Sequence, residues 1–98
     1  MKLVGLEIIE EAQKSHAGAA KRLSAWKAEV ASKTTVWKSF QDIRNRYPKT
    51  DKVDERYVFD IGGNRYRLIV KVNFVAGIVA VRWFGTHAEY SKIKVAEV

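Results

Sequence analysis

Residues 65–72 read Arg-Tyr-Arg-Leu-Ile-Val-Lys-Val, and this run constrains the fold more than any other. Successive side chains of a strand point to opposite faces. Tyr66, Leu68, Val70 and Val72 therefore share one apolar face, and Arg65, Arg67, Ile69 and Lys71 share a face rich in cations. Such a strand wants a core on one side only. Gly62-Gly63-Asn64 just before it is a tight hairpin signal, which pairs the run 65–74 with a strand at 57–61. Ala76-Gly77 marks the next turn, and a further strand follows over 78–84. Between Ile61 and Ala88 there is no acidic residue, against Arg65, Arg67, Lys71 and Arg82. A sheet face of this charge suits a polyanion.

The first half of the chain reads differently. After a short edge strand at 2–4, apolar residues recur at helical spacing. Leu6, Ile9 and Ala12 mark a helix over 6–15, with Glu7, Glu10 and Glu11 in its early turns, where the macrodipole favours carboxylates. Ala19, Leu23, Trp26 and Val30 mark a second helix over 17–32. Val36, Phe40, Ile43 and Tyr47 mark a third over 36–46, with Thr34-Thr35 as caps and Pro48 as the stop. Residues 48–55 read as an exposed connector. Thr86-His87-Ala88-Glu89 has capping-box form and opens a last helix. Helices first and an antiparallel sheet second make an α+β fold, expected as one domain over residues 1–98.

Composition narrows the chemistry. A net charge of +7 points to anionic partners. Cysteine is absent, which removes thiol chemistry and fits a reducing cytoplasm. No apolar run approaches the roughly 18 residues of a membrane span, and the acidic segment after Gly5 is unlike a leader. Two distant histidines without cysteine give no metal-site spacing. Gly62-Gly63 opens no helix, so it is not a phosphate loop. No cofactor is expected.

The stretches GGNRYRLIVKVNF and GIVAVRWFGTHAEY, with Trp26 and Trp37 in the helices ahead of them and a Tyr47-Pro48 stop, resemble the HigB toxins of bacterial toxin–antitoxin operons, within the wider RelE/ParE superfamily. The resemblance covers essentially the whole chain. Ala17 stands where the family is expected to place Pro after His16. The resemblance implies a RelE-like fold, with N-terminal helices on a small antiparallel sheet and a short C-terminal helix. It also implies a metal-independent endoribonuclease that cuts mRNA on the ribosome, in the cytoplasm, and a HigA-like helix-turn-helix antitoxin as partner.

Metal-free RNA cleavage uses the ribose 2′-hydroxyl as nucleophile. The site must take that proton, stabilise charge on the phosphate and protonate the leaving oxygen. Arg67 lies where the superfamily's strand motif places a catalytic arginine, with phosphate clamping as its implied role. His87, at the end of the basic sheet, is the candidate for proton transfer, against the alternative of a histidine that only decorates a helix start. Tyr90 lies on the same side of its helix and either contacts the phosphate, stacks on a base or is a half-buried core aromatic. Arg65 and Lys71 share the Arg67 face and are candidate RNA contacts. Arg82 either joins them or pairs with Asp60. Lys21 and Arg22 are candidate contacts to ribosomal RNA. Trp26 and Trp37 read as core, and so does Trp83, which alternates with Val79 and Val81, against the alternative of an exposed ring that stacks on a base. His16 reads as a helix-start residue. Two other readings stay open: a ParE-like gyrase inhibitor without nuclease activity, and a basic RNA-binding module without catalysis.

Overall fold

The computed structural model describes all 98 residues. The elements run β1 (Lys2–Val4), α1 (Leu6–Ser15), α2 (Ala17–Ala31), α3 (Phe40–Arg46), β2 (Asp51–Val53), β3 (Arg56–Ile61), β4 (Tyr66–Asn73), β5 (Ile78–Thr86), α4 (His87–Tyr90) and a closing 3₁₀ turn at Val95–Glu97. The five strands form one sheet in the order β1-β5-β4-β3-β2. β2 through β5 pair antiparallel, and β1 adds to β5 in parallel, so the sheet is mixed. The α+β class stands.

The hairpin forms where Gly62, Gly63 and Asn64 occur because all three adopt positive φ, at 69°, 61° and 78°. Glycine and asparagine accept this left-handed region, which most side chains resist. The turn sets the register Ile61↔Tyr66, and Asp60↔Arg67 and Phe59↔Leu68 follow from it. Leu68 and Val70 on the inward face join Ile9, Leu23, Trp26, Phe59, Val79 and Val81 in the main core. Burying each such side chain is worth roughly 1.5–3 kcal/mol. Phe59 is the hub of an aromatic group, 5.3 Å from Trp26, 6.2 Å from Trp37 and 5.3 Å from Tyr47 between ring centroids. Glu29 ties α2 to the end of α3 by accepting from Arg46 and from the Tyr47 hydroxyl. Burial, and then the Glu29 carboxylate, push the Tyr47 phenol above its ordinary range.

Three local expectations are corrected. The third helix starts at Phe40, not Val36, and Ser39 rather than Thr34 or Thr35 is its cap. The Thr35 hydroxyl instead donates to the Glu29 carbonyl, and the Met1 ammonium donates to the carbonyls of Val30 and Thr35. These long-range bonds hold residues 34–38 out of the helix. Residues 48–55 are not a bare connector, because Asp51–Val53 pairs with β3 and Thr50 is buried. The third correction is a register shift between β4 and β5. Ile69 faces Trp83 while Val70 faces Val81, so Arg82 is the extra residue of a β-bulge. The bulge reverses the phase of everything after it. Val79 and Val81 point into the core, whereas Trp83 lies opposite Ile69 on the other side of the sheet.

Candidate active site

The outward face of the sheet is where the expected site residues lie, and it is not the open cationic plane that alternation alone suggests. Val58 and Ile69, paired in register at its centre, are 2% and 0% exposed yet stand outside the main core. The chain after β5 returns to this face on either side of them. Tyr90 lies against Arg67 and Trp83, and the Val98 carbonyl accepts from both Nε and Nη2 of Arg56. A small apolar patch therefore divides the face into an upper and a lower part.

The upper part holds Arg67, Tyr90 and Trp83, and the backbone of His87 is tied to Arg65 at its edge. Arg67 is opposite Asp60 on β3 and Gly85 on β5. Its side chain is only 11% exposed, and Nη1 pairs with the Asp60 carboxylate at 3.2 Å. Nη1 also donates to the carbonyls of Asn64 and Tyr66, and Nη2 donates to Asn64 Oδ1 at 2.5 Å. The guanidinium carries five donor hydrogens in a planar fork. Those partners occupy one end of it. Nε and the second hydrogen of Nη2 make up the remaining edge, the geometry that receives two oxygens of a phosphate. The plane is seated on Tyr90, 5.7 Å from its ring centroid.

His87 begins α4, a single turn. Its amide donates to the Arg65 carbonyl at 2.9 Å and its own carbonyl accepts from Ser91. The backbone is thereby fixed to β4 while the side chain is exposed. The capping box expected here is present. Glu89 N donates to the Thr86 hydroxyl oxygen, and Thr86 N donates to Glu89 Oε1 at 2.8 Å. The Thr86 amide first, and its hydroxyl second, hold the Glu89 carboxyl below the usual carboxylate range.

The remaining candidates divide by place. Arg65 is exposed beside the hairpin turn, next to Arg67. Arg22 on α2 approaches the same turn, since its Cδ lies 3.8 Å from where a Cβ on Gly62 would sit. Lys21 is exposed on the same helix. Lys71 and Arg82 belong to the lower part of the sheet, in an open hollow with Asn73, Ile78 and Ala80. The buried Ile69 separates them from Arg67, so the expected continuous cationic groove is broken. Arg82 does not take Asp60 as its partner, because Arg67 already holds that carboxylate. Trp26 and Trp37 are core at 3% and 5% exposed, as expected, and Trp83 is not in that core. His16 starts α2 and packs its ring on Tyr66 and Phe84 on the helix side of the sheet.

Sequence reading missed Asp60 and Asn64 as holders of Arg67. The signal was there: counting outward from the Gly-Gly-Asn turn places residue 60 opposite residue 67. No comparable signal marked the bulge.

The profile of the HigB toxin family, described as the RelE-like toxic component of a toxin–antitoxin system, matches residues 19–93. The chain belongs to the HigB toxin family. The match includes Arg67, His87 and Tyr90, and also Asp60, Asn64 and Trp83. Over 64 residues the chain is 36% identical to the mRNA interferase HigB of Escherichia coli O6:H1. That alignment spans 62% of this HigB-family chain and 62% of the relative's length. No helix is long and apolar enough to cross a membrane.

Proposed function

We propose that residues 1–98 act as one toxin domain that cleaves mRNA on translating ribosomes in the cytoplasm, without a metal ion, until a HigA-like helix-turn-helix antitoxin silences it. The observation that carries this reading is Arg67: a guanidinium held at one end by Asp60 and Asn64, with its other edge free of partners, seated on Tyr90. Family membership and the name of the Escherichia coli relative support the same substrate.

In this mechanism the ribose 2′-oxygen attacks phosphorus. The O2′–P bond forms, the P–O5′ bond breaks, and a cyclic phosphate is left upstream. Arg67 takes charge developing on the non-bridging oxygens, and one such donor is typically worth about 10²–10³-fold in rate. His87 takes the proton from the 2′-hydroxyl and the leaving O5′ gains one in its place, so the downstream fragment carries a 5′-hydroxyl; positioned proton transfer is worth roughly 10²–10⁴-fold. Tyr90 backs the Arg67 plane and offers its hydroxyl as a second donor. Arg65, Arg22 and Lys21, near the turn end of the molecule, steer RNA towards Arg67. Lys71 and Arg82, in the separate lower hollow, contact more distant phosphates.

Induced expression in a bacterium, with mRNA 5′ ends mapped within minutes, tests the proposal. Wild type creates new ends inside reading frames, and Arg67→Ala and His87→Ala do not. Growth arrest without new ends would remove the nuclease reading and favour a gyrase-type inhibitor. Cuts that survive His87→Ala but not Arg67→Ala would remove only the proton-transfer role.

A further inference from the structure

Trp83 is the side chain that the fold goes out of its way to place. In an uninterrupted β5, the alternation of Val79 and Val81 would turn residue 83 into the core and residue 84 out of it. The bulge at Arg82 reverses this and brings Trp83 to the face of Arg67. Bulges commonly re-aim a side chain at a functional site, at the expense of ladder pairing. A second concession serves the same ring. Gly85 is buried, and a Cβ there would lie 2.5 Å from Cη2 and 2.6 Å from Cζ2 of the indole. The ring thus lies over backbone that only glycine leaves bare. Its other neighbour is Tyr90, at 6.4 Å between centroids. After both concessions Trp83 is still only half-buried, so core packing does not account for them.

Its position relative to Arg67 supplies a reason. Trp83 faces Ile69, and Arg67 faces Gly85, so Trp83 and Arg67 are diagonal neighbours, about 7–8 Å apart between backbones. We propose that Trp83 is a stacking platform for an unpaired base of single-stranded RNA, next to the phosphate held by Arg67. Stacking on an aromatic face tolerates any base, and its strength rises with the size of the base. The platform therefore favours purines over pyrimidines beside the cleaved bond without reading a sequence. This rests on the RNA-cleavage reading for the identity of its ligand.

Tryptophan fluorescence reports on it directly, because Trp26 and Trp37 are buried at 3% and 5% exposure. The probe is a 2′-O-methyl hexa-adenylate, which carries bases but cannot be cut through its 2′-oxygens. The control is a sugar–phosphate chain of equal length without bases. The oligonucleotide quenches wild-type emission and the abasic chain does not. Followed by the anisotropy of end-labelled probes, since the variant lacks the reporting indole, Trp83→Leu raises Kd for the oligonucleotide about tenfold, or about 1.4 kcal/mol, and leaves binding of the abasic chain unchanged. Gly85→Ala weakens the oligonucleotide in the same direction by displacing the ring, and Trp83→Phe falls between wild type and Trp83→Leu. These two variants carry the test if Trp83→Leu does not fold. Equal affinities across the series, or equal quenching by the abasic chain, would overturn the platform. mRNA end mapping separates the two readings. New ends that persist unchanged in Trp83→Phe and Gly85→Ala sink the platform alone. Base-dependent quenching in a protein that makes no new ends keeps the platform and sinks the nuclease.

Discussion

The two faces of one sheet are built to different rules. Towards the helices, Phe59, Leu68, Val70, Val79 and Val81 belong to one cluster of buried apolar and aromatic side chains and are at most 3% exposed. Away from the helices, the two fully apolar pairing partners Val58 and Ile69 are just as buried, but charged groups surround them: Arg56, Asp60, Arg67 and Lys71. The inward face gains its stability from area removed from water, which is non-directional. The outward face depends on fixed hydrogen bonds to named acceptors, which are directional and contribute little net stability each. Strands β3 and β4 carry both because their side chains alternate. A single chain segment thus supplies the core at Phe59 and Leu68 and the candidate site at Asp60 and Arg67.

That contrast breaks first, and most visibly, in a pair of truncations. Phe59→Ala removes the hub of the aromatic group and lowers unfolding free energy by about 3–5 kcal/mol. Arg67→Ala lowers it by about 1–2 kcal/mol, since Asp60 keeps access to water, while cleavage falls about 10²–10³-fold. Urea unfolding of both variants, beside a cleavage assay of Arg67→Ala, measures the three quantities. If Arg67→Ala unfolds as easily as Phe59→Ala, the outward face is structural and the division between the faces fails.

A finer test addresses the short helix that carries His87 and Tyr90. Thr86→Ala removes a cap and lowers stability by about 1 kcal/mol. The matching carboxylate gives the effect a pH signature. The Glu89 carboxyl is held below its ordinary value of 4.5 in the fold. Its contribution is therefore complete above that unfolded value and is lost as pH falls through the lower folded value. Hydrogen exchange at the Thr86 amide, followed from neutral to acid pH, should show protection that fades below the ordinary carboxyl range. Protection that fades near neutrality would assign the fastening of α4 to another group.

What the sequence made legible was what is decided locally. The bounds of α1 follow from Leu6, Ile9 and Ala12, the turn from Gly62-Gly63-Asn64, and the α4 cap from Thr86 and Glu89. Three features depend on partners far away in the chain and were not legible. The start of α3 is delayed by Met1, whose ammonium and thioether hold Thr35 and Trp37. β2 exists because β3 offers it an edge. The bulge at Arg82 arises only when β4 and β5 pair, and with it the side of the sheet that Trp83 occupies. At the site, alternation alone placed Arg65, Arg67 and Lys71 on one face. It did not reveal that Ile69, between Arg67 and Lys71, is fully buried, nor that Arg67 is seated by Asp60 and Asn64.

If the outward face cuts RNA by transesterification through its own side chains, the chemistry of the cut ends carries the mark of it. Purified wild type and Arg67→Ala are incubated with ribosomes translating a defined mRNA, and both fragments are analysed. The account predicts a 2′,3′-cyclic phosphate on the upstream fragment and a 5′-hydroxyl on the downstream one, with neither product from a folded Arg67→Ala. Downstream fragments bearing a 5′-phosphate, or cleavage undiminished by Arg67→Ala, would contradict it.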